Sequence, residues 1–191
     1  MPDSAAEAQI DRALVARVQL TGDRRAFEQL LRRHQGMVRA QLRRLTHGDN
    51  AEADDLAQET FLLAWRKLHQ FRGDSRFSTW LYRIAYACFL QARRKRSPDA
   101  GGADSGTLEQ QASPRAPAEL RLDIDRAMDR LSAPERTVLA HVVQLGLSHD
   151  EAAYVLAMPL GTVKSHAKRG KDKLRALLAD WQTSSQEERG L

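Results

Sequence analysis

The sequence predicts an all-α protein in which a flexible linker joins two small helical domains. Apolar residues recur at every third or fourth position in both halves of the chain, which is helical rather than alternating periodicity. Composition breaks sharply once, where proline, glycine, serine and small polar residues replace aromatic ones. This break predicts a linker at residues 97–117, between domains at residues 10–96 and 118–181.

The overall composition permits this organisation and narrows the classes of partner. The 191 residues are 42% hydrophobic, and their net charge of +5 favours a polyanionic partner. Cys88 is the only cysteine, which excludes an internal disulfide and a zinc cluster built on cysteines. The acidic N-terminal segment does not fit a signal peptide, and no apolar stretch approaches the length of a membrane span. We therefore expect a soluble cytoplasmic protein.

Three apolar stripes predict three helices in the first domain. Asp49 followed by Glu52 resembles a capping box, which places the start of the second helix near Asn50. The third helix follows a turn at residues 72–75, and Cys88 on its apolar face is expected to be a packed small hydrophobe rather than a redox sensor. The stripes consist of Phe27, Leu30, Leu31, His34, Val38, Leu42 and Leu45, then Leu56, Ala57, Phe61, Ala64, Leu68 and Phe71, then Phe77, Leu81, Ile84, Ala85 and Cys88.

The second domain carries two S-x-x-E patterns, which begin at Ser132 and Ser148 and predict two helix starts. Gly146 supplies a stop between them, and Pro159 sits where a first-turn proline opens another helix. A short helix, a tight turn and a long helix are therefore expected. The apolar face of the long helix comprises Val163, Ala167, Leu174 and Leu178.

The long helix of this pair is basic, which predicts a DNA-binding helix-turn-helix. A basic helix alone is as often a solvated face, but the capped helix before it favours DNA. Gly170 inside the helix marks either a close helix contact or a weak spot. The charged residues are Lys164, Lys168, Arg169, Lys171, Lys173 and Arg175, against Asp172 alone.

The third helix of the first domain ends in a basic run at residues 93–96 and carries a second stripe beside its apolar one. An aromatic and cationic stripe suits single-stranded or melted DNA, because unpaired bases stack on aromatic rings. In the alternative interpretation, Trp80 and Tyr86 only complete the core. The stripe consists of Trp80, Arg83, Ala87, Gln91 and Arg94.

An acidic patch formed by Asp54, Asp55 and Glu59, with Gln58 beside it, lies on the middle helix. No histidine at ligand spacing joins it, so docking of a protein is favoured over a metal site or acid–base chemistry. The sequence offers no phosphate-cradling glycine loop and no nucleophile elbow, and we expect neither a cofactor nor catalysis.

Two blocks of the chain resemble the extracytoplasmic-function group of bacterial sigma-70 factors. AEADDLAQETFLLAWRKLHQFRGDSRFSTWLYRIA, residues 51–85, is similar to sigma region 2, and residues 131–178, which include GLSHDEAAYVLAMPLGTVKSHAKRGKDKL, are similar to region 4. Helix-turn-helix segments close to region 4 also occur in other transcription factors, but the pair in this order is specific. The resemblance implies an alternative sigma factor that directs core RNA polymerase to promoters and takes part in DNA melting and transcription initiation.

The resemblance also implies a partner for each surface. Asp55, Gln58 and Glu59 match positions that dock on the β′ clamp helices of core polymerase. The positions that match the −10 element contacts are Ser75, Arg76, Phe77, Ser78, Thr79, Trp80 and Arg83. Those that match the −35 contacts are Lys164, Ser165, Lys168 and Arg169. The polymerase β flap and an anti-sigma protein are further implied partners.

The sequence departs from the family pattern on the third helix of the first domain. The segment Tyr86-Ala87-Cys88 stands where arginine, asparagine and an apolar residue are usual, and Gln91 replaces a common aspartate. His166 replaces a common arginine in region 4. Base preference at the −10 element is therefore open. A stand-alone DNA-binding regulator is the principal alternative, with half-sites one helical turn apart.

Overall fold

The structure, a computed structural model, describes residues 4–96, 127–128 and 130–188, with side chains between residues 5 and 178 of these ranges. The described residues form helices and turns without a β-strand, which confirms the predicted all-α class. The chain divides into a first unit up to Gln110 and a second unit from Gln111. The predicted linker at residues 97–117 lies outside the described residues. None of the described helices is both long and apolar enough to cross a membrane.

The described part of the first unit, residues 4–96, is a bundle of four helices. They are α1 (Ser4–Thr21), α2 (Arg24–Leu45), α3 (Asn50–Lys67), which continues into a 3₁₀ turn (Leu68–Gln70), and α4 (Phe77–Arg96). Side-chain caps fix two of the starts. Asp23 accepts the backbone N–H groups of Arg25 and Ala26 at 2.9 and 3.1 Å. Asp49 accepts the N–H of Glu52 at 3.0 Å, so α3 begins at Asn50 as predicted.

The core of the first unit lies between α2, α3 and α4, and the three predicted stripes supply it. Leu30, Val38 and Leu42 of α2 are buried against Leu56, Ala57 and Ala64 of α3 and Leu81, Ala85 and Cys88 of α4 in one cluster. Phe27, Leu31 and Phe71 are partly buried against the same cluster. The prediction of three amphipathic helices is therefore confirmed.

The sequence patterns did not predict α1, and residue 10, the expected start of the first domain, falls inside it. Leu14, Val15 and Val18 bury the inner side of this helix in the core. Its polar contacts are longer-range, because the carboxylate of Asp11 lies 2.9 Å from Arg33 Nε and 2.8 Å from His34 Nε2 on α2. These contacts fix α1 against α2.

The described part of the second unit contains α5 (Ala133–Leu139), a π-helical segment (Ala140–Gln144), α6 (His149–Leu156) and α7 (Leu160–Glu188). Ser132 and Ser148 begin α5 and α6 through capping boxes, as predicted. Gly146 ends the preceding segment with a φ of +69°. Ala157, with a φ of +52°, forms the turn between α6 and α7. The predicted order of short helix, tight turn and long helix is confirmed.

Gly170 of α7 is a close helix contact, which decides between the two interpretations of this residue. A Cβ atom built on Gly170 would lie 2.7 Å from Leu139 Cδ1, 3.2 Å from Leu139 Cγ and 3.5 Å from Glu135 Cβ. Real Cβ atoms do not approach so closely, and Leu139 is buried and cannot move freely. The glycine therefore lets α7 pack directly against α5.

We expect Gly170→Ala to destabilise the protein by about 1 to 2 kcal/mol, since overpacking outweighs the gain in helix propensity. Gly36→Ala is the matched control, because Gly36 also lies inside a helix and a Cβ there meets nothing within 4 Å. This control should stabilise the protein by about 0.5 to 1 kcal/mol. Urea unfolding followed by circular dichroism measures both changes. A stabilising Gly170→Ala would contradict the close contact.

Candidate protein and nucleic-acid interfaces

The exposed side of α3 carries the predicted protein-docking residues. Asp55, Gln58 and Glu59 are exposed, because Leu56, Ala57 and Phe61 turn the opposite side of the helix into the core. Neither Asp55 nor Glu59 forms an ion pair within the described part of the chain. Both carboxylates are therefore available to a partner.

Leu62 adds an apolar element to this face, and sequence reasoning missed it. Its side chain is 61% exposed, three residues after Glu59 and four after Gln58, on the same side of α3. A leucine that falls on the polar side of an amphipathic helix was the available signal. We call Asp55, Gln58, Glu59 and Leu62 the α3 face.

Asp54, also part of the predicted acidic patch, is engaged within the chain. Its Oδ1 atom lies 3.1 Å from Arg39 Nε, although the two groups are not aligned for a hydrogen bond. Glu52, two residues earlier, forms an ion pair with Arg96 at 2.7 Å. Basic residues of the chain itself thus neutralise Glu52 and Asp54, whereas the carboxylates of Asp55 and Glu59 stay exposed.

The loop before α4 and the first two turns of α4 hold the predicted −10 contacts in two different environments. Arg76 and Arg83 are exposed, and Ser75 and Ser78 are half-buried. Phe77 and Thr79 are only 5% and 1% exposed, so their side chains belong to the core. The sequence pattern alone does not separate these two groups.

Trp80 occupies an intermediate position in a cluster of aromatic rings. Its ring centroid lies 5.2 Å from that of Phe71 and 5.6 Å from that of Phe77, and its side chain is half-buried. Tyr86 is likewise half-buried against the core, and burial raises the pKa of its hydroxyl. Both aromatic residues therefore contribute to packing, as the alternative interpretation held, while part of Trp80 remains accessible.

A cavity of about 490 Å³ opens beside this loop, between α1, α2 and the start of α4. Ser75, Arg76 and Ser78 line it together with residues that include Asp11, Arg33 and His34, none of which the sequence suggested as a site residue. Burial alone would raise the pKa of Asp11, but hydrogen bonds and charge from His34 and Arg33 outweigh it, so the pKa of this carboxyl is lowered. The cavity therefore has a fixed, charged floor.

The exposed stripe of α4 continues from this cavity toward the C-terminal end of the helix. Arg83, Ala87, Gln91 and Arg94 are all exposed, as their spacing predicts. Arg93 lies over the ring of Phe89, with its Cζ atom 5.8 Å from the centroid. The stripe is cationic and presents no hydrogen-bonding side chain at position 87.

The predicted −35 contacts lie on the exposed side of α7. Lys164, Ser165, Lys168 and Arg169 are exposed, opposite the buried Val163 and Ala167. Ser165 Oγ donates to the carbonyl of Gly161 at 2.8 Å, and Arg169 contacts His166 Nδ1 at 3.2 Å.

Lys173 differs from the other lysines of α7 because it forms an ion pair with a residue of another helix. Its Nζ donates to both carboxylate oxygens of Glu135 on α5, at 2.8 and 3.0 Å. This hydrogen bond lowers the pKa of Glu135 to about 2. Sequence reasoning counted Lys173 with the basic surface, since a contact between residues 38 positions apart leaves no local signal.

Neither Cys88 nor a group of metal-ligating side chains forms a further site in the described residues. Cys88 is 1% exposed, and burial raises the pKa of its thiol despite a hydrogen bond with Thr60. Within the described ranges no three histidine, cysteine or acidic residues stand together to hold a metal ion.

Comparisons with known proteins agree on one family. Residues 30–98 match the family model for Sigma-70 region 2, and residues 121–174 match that for Sigma-70, region 4. The RNA polymerase sigma-H factor of Pseudomonas aeruginosa is 36% identical over 178 residues, covering 86% of this chain and 91% of that protein. The ECF RNA polymerase sigma-E factor of Escherichia coli K12 is 35% identical, covering 86% and 92%.

A solved structure supports the same relationship. The sigma factor RpoE of Bartonella quintana, crystallised in complex with the anti-sigma factor NepR, superposes with a TM-score of 0.67 at 28% identity. The match covers 80% of this chain and 96% of that one.

We expect Cys88 to resist alkylation by iodoacetamide at pH 8 in the native protein, because its thiol is buried and its pKa raised. In urea the same thiol should react fully, and as the only cysteine it gives a single signal by mass spectrometry. Equal rates in the native and unfolded chains would contradict the buried position and reopen a redox role.

Proposed function

The chain belongs to the extracytoplasmic-function group of sigma-70 factors and is an alternative RNA polymerase sigma factor; we propose that it divides its work among three separate surfaces. The α3 face binds core polymerase, the loop cavity and the α4 stripe hold the −10 element, and α7 reads the −35 element. The observation that carries this proposal is the distribution of exposed charge among the described side chains, since the α3 face presents the carboxylates of Asp55 and Glu59 while the exposed charges of α4 and α7 are cations apart from Asp172.

Docking of core polymerase on the α3 face is supported by its composition. Asp55 and Glu59 supply negative charge that is not neutralised within the described residues. Leu62, on the next turn of the same helix, supplies an exposed apolar side chain that a partner can contact. Protein interfaces combine such an apolar centre with a polar rim. The proposed partner is the β′ clamp helices, with the β flap as a further contact of the second unit.

At the −10 element, the proposed role of the loop cavity is to receive a base that has left the stack. Its volume of about 490 Å³ falls within the range of small-molecule sites, and Ser75, Arg76 and Ser78 offer hydrogen bonds to a base edge. Flipping a base costs a few kcal/mol, which a fitting pocket recovers. Phe77 and Thr79 are proposed to support this pocket from the core, while Trp80 and Arg83 hold the melted strand.

At the −35 element, α7 is proposed to lie in the major groove as the second helix of a helix-turn-helix. Lys164, Lys168 and Arg169 reach bases and phosphates, and Ser165 adds a short polar contact. Indirect readout of backbone shape contributes as well.

Regulation by an anti-sigma protein is part of the proposal, because the Bartonella quintana factor was crystallised with one. The family is not known for enzymatic activity, and we assign no catalytic residue and no cofactor to this chain. The proposed site of action is the cytoplasm, because the relatives of this chain are RNA polymerase sigma factors. A stand-alone regulator would have no need for the α3 face.

We expect Asp55→Lys and Glu59→Lys each to weaken binding to core polymerase by about tenfold, because each reversal opposes the charge that the partner must complement. Glu28→Lys is the matched control, since it makes the same charge change on the exposed side of α2, where Glu28 pairs with Arg32. Fluorescence anisotropy of the labelled chain measures core affinity, and run-off transcription measures initiation. An equal loss for the Glu28 variant would mean that net charge alone is responsible.

Lys168→Ala and Arg169→Ala should have the opposite pattern, with weaker promoter binding by holoenzyme and unchanged affinity for core. Each phosphate contact removed should also lower the salt dependence of binding by about 0.9 in the slope of log K against log salt. Arg175→Ala is the control on the same helix, because Arg175 pairs with Asp172. Promoters for the assay come from sequencing transcript 5′ ends after overexpression. If these variants lose core affinity to the same extent as the α3 variants, the assignment of faces is wrong.

A further inference from the structure

Helices α5 and α7 meet at a contact that combines a glycine, which has no side chain, with an ion pair between the buried carboxylate of Glu135 and the half-exposed ammonium of Lys173. Gly170 removes the bulk that would hold Leu139 away, and Lys173, three residues later on the same side of α7, reaches Glu135. Glu135 and Leu139 are themselves one turn apart on α5. Glu135 and Leu139 of α5 thus pack against Gly170 and Lys173 of α7. We call these four residues the α5–α7 contact.

Glu135 connects two requirements of the unit in one carboxylate. Its Oε2 atom accepts the backbone N–H of Ser132 at 3.1 Å, which closes the capping box of α5, and both oxygens accept from Lys173. The residue is only 3% exposed. Because a buried carboxylate needs a charge partner, α7 must keep Lys173 at this position for α5 to keep its cap.

The contact also determines which side of α7 faces outward. At about 100° per residue, Val163, Ala167 and Gly170 share one side of the helix, while the −35 residues Lys164, Ser165, Lys168 and Arg169 lie opposite. Rotation or sliding of α7 is opposed by the close approach at Gly170 and by the two hydrogen bonds of Lys173. The orientation of the proposed DNA-binding side of α7 therefore depends on the α5–α7 contact on the other side of the helix.

We infer that Lys173 is a positioning residue for promoter recognition, which acts through Glu135 and Gly170 to fix the pose of α7, and that it makes no phosphate contact of its own. This inference rests on the proposed role of α7 at the −35 element. The positive charge of Lys173 and its position on α7 would otherwise suggest a direct contact with DNA.

The test compares Lys173→Gln with Lys168→Gln in the full chain bound to core polymerase, on one promoter fragment, over a range of salt concentrations. Lys168 is the matched control because it is an exposed lysine of the same helix with no ion pair in the described residues. For Lys168→Gln the slope of log K against log salt should fall by about 0.9. For Lys173→Gln the slope should stay unchanged, while affinity falls by about threefold or more at every salt concentration.

Two further variants separate positioning from stability alone. Lys173→Arg retains a cation that can bind both oxygens of Glu135, and it should restore affinity to within about twofold. In urea unfolding of the chain without DNA, Lys173→Gln should lower the midpoint, and Glu135→Gln combined with it should lower the midpoint by less than the sum of the single changes. Affinities are measured at a temperature at which circular dichroism shows each variant to be folded.

Two outcomes would overturn the inference. A slope reduced by about 0.9 in Lys173→Gln would make Lys173 a phosphate contact, and an unchanged affinity of the folded variant would make the ion pair a stabilising contact only. The slope of Lys168→Gln tests the −35 role of α7 separately. A failure of the proposed function is therefore distinguishable from a failure of the positioning role.

Discussion

The burial of one apolar stripe on each helix is the constraint on which the functional surfaces of this protein depend. Because Leu56, Ala57 and Phe61 face the core, the residues of the α3 face on the other side of the helix are exposed to solvent. The same holds for Val163 and Ala167 of α7. The packing that stabilises each unit thus also orients the side chains that a polymerase or a promoter would meet, and it does so on rigid helices.

Ion pairs within the chain neutralise some of its charged side chains and leave others free to contact a partner. The inner carboxylates of α3 are matched by Arg39 and Arg96, and the inner carboxylate of α5 by Lys173. The charges that remain exposed are therefore those on the outer sides of the helices. A protein with a net charge of +5 can in this way keep an acidic face for one partner beside basic faces for another.

Local signals predicted most of the fold, while long-range contacts escaped prediction. Periodicity gave the helices of the core, and side-chain caps placed the starts at Asn50 and after Ser148. Helix α1 escaped because its apolar residues do not share one side, since Ile10 and Leu20 are exposed. Its anchor, Asp11, pairs with residues more than 20 positions away. The exposure of the candidate residues on α3 and α7 agrees with their helical spacing, and their roles stay predictions. Burial of Phe77 and Thr79 depends on how α4 packs, which no spacing rule contains.

The departures from the family pattern on α4 bear on how the −10 element is read. Ala87 is exposed on the stripe but offers no hydrogen bond to a base, and the arginines beside it favour phosphates, which carry no sequence. In the proposed division of labour, α4 therefore holds the strand, and discrimination falls to the loop cavity. The floor of that cavity is fixed by Asp11, Arg33 and His34, which hold one another in place. In the proposed role, only a base that fits the pocket recovers the cost of base flipping, and the contacts that fasten α1 to α2 would support that selection.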